Sequence, residues 1–273
     1  MPAIELTRLK KQADELADCF HQPDEFKRLL LDRLEFYADR VTRPGNMARP
    51  APLIPRFCVP DLFLQAVEQT LQNPARDDPE AALLLVESLW MDPHLEPRLL
   101  AAALIGMAAK NKPDEAANLL TQYCIPQENP LVQEALLQRS GVQLRAADMQ
   151  VWFDLVERWI SSGSIGQQLI GFRALRSVID DRSFENLPVI YRLLTVPIET
   201  TSRATIHDLE SLIISLARRS PVETAYFLRQ CYARAGNPIL SRLVRKVLSV
   251  FPTDGQANLV KALQNGISTM GNP

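Results

Sequence analysis

Seven basic residues, Arg218, Arg219, Arg229, Arg234, Arg242, Arg245 and Lys246, crowd positions 218–246 against a single acid, Glu223. Arg242, Arg245 and Lys246 stand at i, i+3 and i+4, the spacing that puts side chains on one helix face. Like charges so placed repel by roughly 0.2–0.5 kcal/mol per pair unless an anion or an acid offsets them. Phosphate oxygens do so, and several such contacts give salt-sensitive, sequence-independent affinity for a nucleic-acid backbone. A solvated face paired with acids of neighbouring elements does so equally, with Arg245 and Lys246 also complementing a helix C-terminus. Arg173 and Arg176 lie on the polar side of another helical segment. They either extend the basic track or pair with Asp180 or Asp181.

Other chemistry-bearing residues converge less. His21, His94 and His207 are isolated from one another, and Cys19 and His21 lack the second pair that a tetrahedral metal site needs. Asp77-Asp78 and Asp180-Asp181 read as helix ends, where turns and caps use carboxylates. Asp154 and Glu157, one helical turn apart, suit acid and base only inside a cleft. Trp152 and Trp159, a heptad apart, read as core rather than as a base-stacking platform. No metal-ligand set, nucleophile motif or phosphate loop is present. The sequence therefore assigns no catalytic residue, no metal and no cofactor.

Composition narrows the class. Of 273 residues, 47% are hydrophobic and 23% charged, enough for a packed core. The formal net charge of -2 gives no globally basic nucleic-acid binder and leaves only a local basic face. Cys19, Cys58, Cys124 and Cys231 are far apart with no Cys-x-x-Cys pair, which reads as reduced thiols in a cytoplasmic protein. The opening residues turn polar at once, and the richest apolar run, Leu99 to Ala109, is too short for a bilayer. Neither secretion nor membrane insertion is expected.

The elements that must position these side chains are helices throughout. Asp78-Pro79, Asn129-Pro130, Ser220-Pro221 and Asn237-Pro238 each place a capping side chain before a proline at the first helical position. Glu223 completes a capping box with Ser220. Apolar residues recur at helical steps in Val151, Trp152, Leu155, Val156, Trp159 and Ile160. They do so again through Leu169–Ile179 and Ile239–Leu248. Segments starting at Leu99, Leu169 and Leu243 resemble one another and are separated by about two helical hairpins of the HEAT class. Further inner helices are expected near Leu131 to Ala135 and near His207 to Leu209. The expected fold is all-α: a HEAT-like α-solenoid of stacked antiparallel helix pairs over 61–273, with an N-terminal helical hairpin over 1–42. The hairpin carries stripes Leu9, Ala13, Leu16, Phe20 and Phe26, Leu30, Leu34, Tyr37, Val41. Between the hairpin and the repeats, 43–60 holds Pro44, Pro50, Pro52, Pro55 and Pro60 and forms an extended linker or strap, or a recognition segment for a proline-reading partner.

Two stretches carry a family resemblance. Ser88-Leu89-Trp90-Met91-Asp92-Pro93 followed by Pro97-Arg98-Leu99-Leu100-Ala101-Ala102-Ala103-Leu104-Ile105 is one. The Trp152 to Trp159 helix, Ser161-Ser162 and the helix from Ser164 to Ile179 are the other. Together they resemble the HEAT-like-repeat alkylpurine DNA glycosylases, the AlkD family, over about 61–260 at the level of repeat architecture. The resemblance implies a basic concave groove that holds duplex DNA by its backbone. It also implies an aspartate in a Trp-Asp-x-x-Asp-like context, flanked by aromatic and arginine side chains, that assists base excision. This chain departs there. Between Lys110 and Ser140 it has no tryptophan, and its carboxylates are Asp114, Glu115, Glu128 and Glu134. Where the family often has paired arginines, it has Gln167-Gln168. No catalytic residue carries over.

The functional expectation is a non-catalytic α-solenoid that engages a protein or a nucleic-acid backbone on its concave face. Arg173, Arg176, Arg242, Arg245 and Lys246 are its candidate backbone contacts. The alternative is a DNA glycosylase for alkylated bases with a diverged active site. Homo-oligomerisation through the N-terminal hairpin is compatible with either.

Overall fold

A computed structural model describes residues 6–38, 54–235 and 237–270, with side chains through 264. Val41 and most of the proline-rich segment lie outside the described residues. Among the described residues every regular element is a helix and no strand occurs. No helix there is long and apolar enough to cross a membrane. The chain divides into two compact units, 1–155 and 156–273.

In the first unit, α1 (Leu6–Asp18) packs against α2 (Pro23–Tyr37). Leu9, Ala13, Leu16, Phe20, Phe26, Leu30 and Leu34 are all buried, so each stripe faces inward. Four helices follow: α3 (Asp61–Asp77), α4 (Pro79–Trp90), α5 (Leu95–Ala109) and α6 (Pro113–Tyr123). The next rod is α7 (Pro130–Ala135), a π-helical turn (Leu136–Gly141) and α8 (Val142–Ala147). Helix α1 packs on α3, α3 on α5, and α5 on the π turn, while α2 packs on α4 and α6 on α8. Helix α5 is buried nearly all round, as its Leu/Ala composition demands.

The π turn has an identifiable fastening. Ser140 is fully buried and its hydroxyl donates to the Ala102 carbonyl at 2.6 Å. Gly106 faces the same turn: a Cβ there would lie 2.5 Å from the Arg139 carbonyl oxygen. Helix α5 and the π turn therefore approach closer than any side chain at 106 allows.

Helix α9 (Met149–Ile160) contains the boundary between the units. The second unit continues with α10 (Ile165–Asp180), α11 (Leu187–Glu199), α12 (Ile206–Arg219) and α13 (Pro221–Ala235). It ends with α14 (Pro238–Val247), a short 3-10 turn (Leu248–Val250) and α15 (Thr253–Met270). Helices α10, α12 and α14 pack in succession, as do α11, α13 and α15. In this unit odd-numbered helices thus meet odd, and even meet even, with α13 also against both α12 and α14.

Three of the four cap-proline starts cap by side chain. Asp78 accepts from the Ala81 N–H at 3.0 Å, Asn129 from Leu131 at 2.9 Å and Asn237 from Ile239 at 2.9 Å. At the fourth, the Ser220 hydroxyl donates to the Glu223 carboxylate. That bond holds the Glu223 carboxyl below its ordinary range.

Candidate functional site

The packed row α10–α12–α14 turns its apolar stripes inward. Ile170, Leu175, Leu212, Leu216, Leu240 and Leu243 are among the buried residues. The opposite side of each helix carries the cations, because a helix that buries one face leaves its polar residues on the other. Arg173 and Arg176 on α10, Arg218 on α12, and Arg242, Arg245 and Lys246 on α14 are all exposed.

Several cations already have acids. Lys246 donates to Glu210 on α12 at 2.7 Å, and Arg176 faces Asp180 one turn along at 3.6 Å. Arg234 on α13 pairs with Glu199 at 2.8 Å. Arg219 turns sideways and donates to the Ile179 and Asp181 carbonyls at 2.9 and 2.8 Å, finishing α10. What is left is smaller than the sequence suggests. Arg218, Arg242 and Arg245 are exposed on the adjacent helices α12 and α14, and their side chains form no hydrogen bond or ion pair among the described residues. Arg218 was not among the contacts singled out from the sequence. Its signal is its place opposite the Leu209, Leu212, Ile213, Leu216 stripe.

A second polar cluster lies in the first unit and was missed from the sequence. Asp92, only 5% exposed, closes the turn between α4 and α5. Its Oδ1 accepts from the His94 N–H at 3.0 Å and lies 2.8 Å from His94 Nδ1. Arg98 donates from Nε to the Asp92 carbonyl at 3.1 Å, and from Nη1 to both Glu128 oxygens at 3.0 and 3.1 Å. The Trp90 and Tyr123 rings stack at 4.0 Å, with the Arg98 guanidinium 5.5 Å from the Trp90 ring. Residues 54–60 are tied to the start of α5, where the Leu95 N–H reaches the Pro55 carbonyl at 2.9 Å. The Cys58 N–H reaches Glu96 Oε1 at 2.8 Å. Asp92 orients the imidazole, yet no hydroxyl or thiol hydrogen-bonds to it among the described residues. The cluster fastens strap, turn and helix together. Among the described residues no group of three His, Cys, Asp or Glu side chains is placed to hold a metal.

A groove of about 910 Å³ runs along α13 beside the start of α11. Leu187, Pro188, Tyr191, Val222, Tyr226 and Phe227 supply its apolar wall. Val222 is 74% and Tyr226 57% exposed, which is high for residues of their type. The Tyr191 and Phe227 rings meet at 5.1 Å and 43°, and the Tyr191 hydroxyl is 2.9 Å from that of Thr224. Burial pushes the Tyr191 phenol above its ordinary range. Comparison with known protein families, with curated proteins and with solved structures finds no match to this chain.

Proposed function

We propose that the chain is a HEAT-like helical-repeat binding module, without catalysis of its own, that holds a nucleic-acid backbone on the exposed face of α10, α12 and α14. The alternating packing of helices in the second unit, with each helix pair burying its stripe against the next, supports the repeat reading. The resemblance to alkylpurine DNA glycosylases points to the same kind of ligand, a duplex gripped by its phosphates.

The observation that carries the proposal is the trio Arg218, Arg242 and Arg245, exposed and unpaired among the described residues on two adjacent helices. Arg173 is exposed on α10, in the same row of packed helices. Lys246 and Arg176 contribute less, because Glu210 and Asp180 already offset them. Both of these carboxylates are engaged by cations, so the face favours binding over base excision.

The test is fluorescence anisotropy with a labelled mixed-sequence DNA duplex across a salt series. Three phosphate contacts give a slope of log affinity against log salt of about -3. Replacing Arg218, Arg242 and Arg245 together by Gln lowers low-salt affinity at least about tenfold and flattens the slope. Absence of binding at about 50 mM salt overturns the proposal. Release of a methylated purine from alkylated duplex by the purified chain overturns its non-catalytic part.

A further inference from the structure

The groove along α13 has no part in the DNA reading, and its chemistry is of a different kind. Its wall is aromatic and apolar, while its rim carries Glu185 and Glu223, with Arg234 occupied by Glu199. The geometry points to a docking site for an arginine-bearing, proline-rich segment of a partner protein, bound in the extended polyproline II form.

Three features select this occupant. The first is length. Lining residues run from Val222 to Arg234 on α13, about 18 Å at the rise of an α-helix. That matches about six residues of polyproline II at its 3.1 Å rise.

The second is the pattern of polar groups. A polyproline II segment has no internal hydrogen bonds, so its carbonyls need donors along the groove. The Tyr226 hydroxyl oxygen accepts from Gln230 Nε2 at 2.9 Å, which leaves the phenolic proton to donate outward. An amphipathic helix satisfies its own carbonyls and gains nothing from that proton. The Arg229 guanidinium lies over the Tyr226 ring at 5.1 Å, and the residue stays 57% exposed, an aromatic surface of the kind on which proline rings pack.

The third is charge. Glu223 is exposed, and its carboxylate is kept ionised by the Ser220 hydroxyl. With Glu185 it gives the rim two acids that suit arginine and reject an acidic peptide. Proline supplies the remaining advantage: a segment already extended loses little conformational freedom on docking.

The experiment uses the full chain and two labelled peptides of about twelve residues, one repeating Arg-Pro-Pro and the other Glu-Pro-Pro, read by anisotropy. The arginine peptide binds and the glutamate peptide does not. Tyr226→Ala weakens binding about tenfold, and Glu223→Gln or Glu185→Gln about threefold each. Each variant keeps the helical circular dichroism of the parent, since all three side chains are exposed. DNA affinity is unchanged in Tyr226→Ala, so failure here and failure of the DNA reading are separate results. Equal binding of both peptides, no binding of either, or an unaltered affinity in Tyr226→Ala overturns the assignment.

Discussion

Gly106 shows how a single hydrogen atom in place of a methyl sets the approach of two helices. Its would-be Cβ meets main chain, the Arg139 carbonyl, rather than the movable end of a side chain. Gly106→Ala must therefore shift α5 or the π turn, and a loss of about 1–3 kcal/mol is expected in urea unfolding. Gly163 is the control: nothing lies within 4 Å of a Cβ there. Gly163→Ala should change stability by less than about 0.5 kcal/mol. Equal effects at the two sites would remove the close-approach argument. Nearby, Glu68 on α3 pairs with Arg139. Burial pushes the Glu68 carboxyl above its ordinary value of 4.5, with Arg139 offsetting only part of the rise. A raised native pKa means that the folded chain holds a proton which the unfolded chain releases. The contribution of Glu68 to stability is thus fully present below 4.5 and is lost as pH rises through its folded value. Urea midpoints measured from pH 4 to 7 should decline less steeply in Glu68→Gln than in the parent. An identical slope sinks this account. Neither feature was legible from sequence. Glu68 and Arg139 are far apart along the chain, and Gly106 looks like any small residue in an Ala-rich helix.

At the level of elements, much more was legible, and for a local reason. A cap is a contract between residues two or three apart, so Asp78, Asn129 and Asn237 announce their helices without knowledge of anything distant. The stripes of α1 and α2 likewise depend only on period. What the sequence withheld is how elements meet. The sequence leaves open whether Lys246 is free or paired until α12 brings Glu210 beside it, and likewise Arg219 until it reaches the end of α10. The groove went unnoticed because Val222 and Tyr226 pass for ordinary core residues, and only their exposure separates them. Asn237 joins the two kinds of information. It caps α14 through Oδ1, while its Nδ2 donates to the Glu199 and Thr201 carbonyls at 3.1 and 2.9 Å, just beyond α11. Asn129 only caps its helix by side chain. Asn237→Ala should therefore cost about 2 kcal/mol, against about 1 kcal/mol for Asn129→Ala. Urea denaturation of the two variants checks the order, and equal losses would mean that the two carbonyl contacts add nothing.

At the scale of the whole molecule, the proposed repeat reading implies that stability is local, within units 1–155 and 156–273 as well as between them. Helical repeats draw their core from immediate neighbours, so damage spreads by adjacency rather than through one shared interior. Leu212, 1% exposed on α12, sits in the row α10–α12–α14 and has no role at the proposed phosphate contacts. Leu212→Ala leaves a cavity worth about 2–5 kcal/mol. In amide hydrogen exchange, the loss should appear as faster exchange in α10, α12 and α14, while amides of α3, α4 and α5 keep the parent's rates. Uniform acceleration along the chain would mean a single cooperative core and would remove the repeat reading with it. The same variant separates stability from binding. Arg218, Arg242 and Arg245 lie on the elements that loosen, so at low salt and low temperature, where the row remains folded, DNA affinity should be kept. On warming it should fall earlier than in the parent, in step with the exchange rates of α12 and α14. Affinity lost while those amides remain protected would place the contacts elsewhere on the chain.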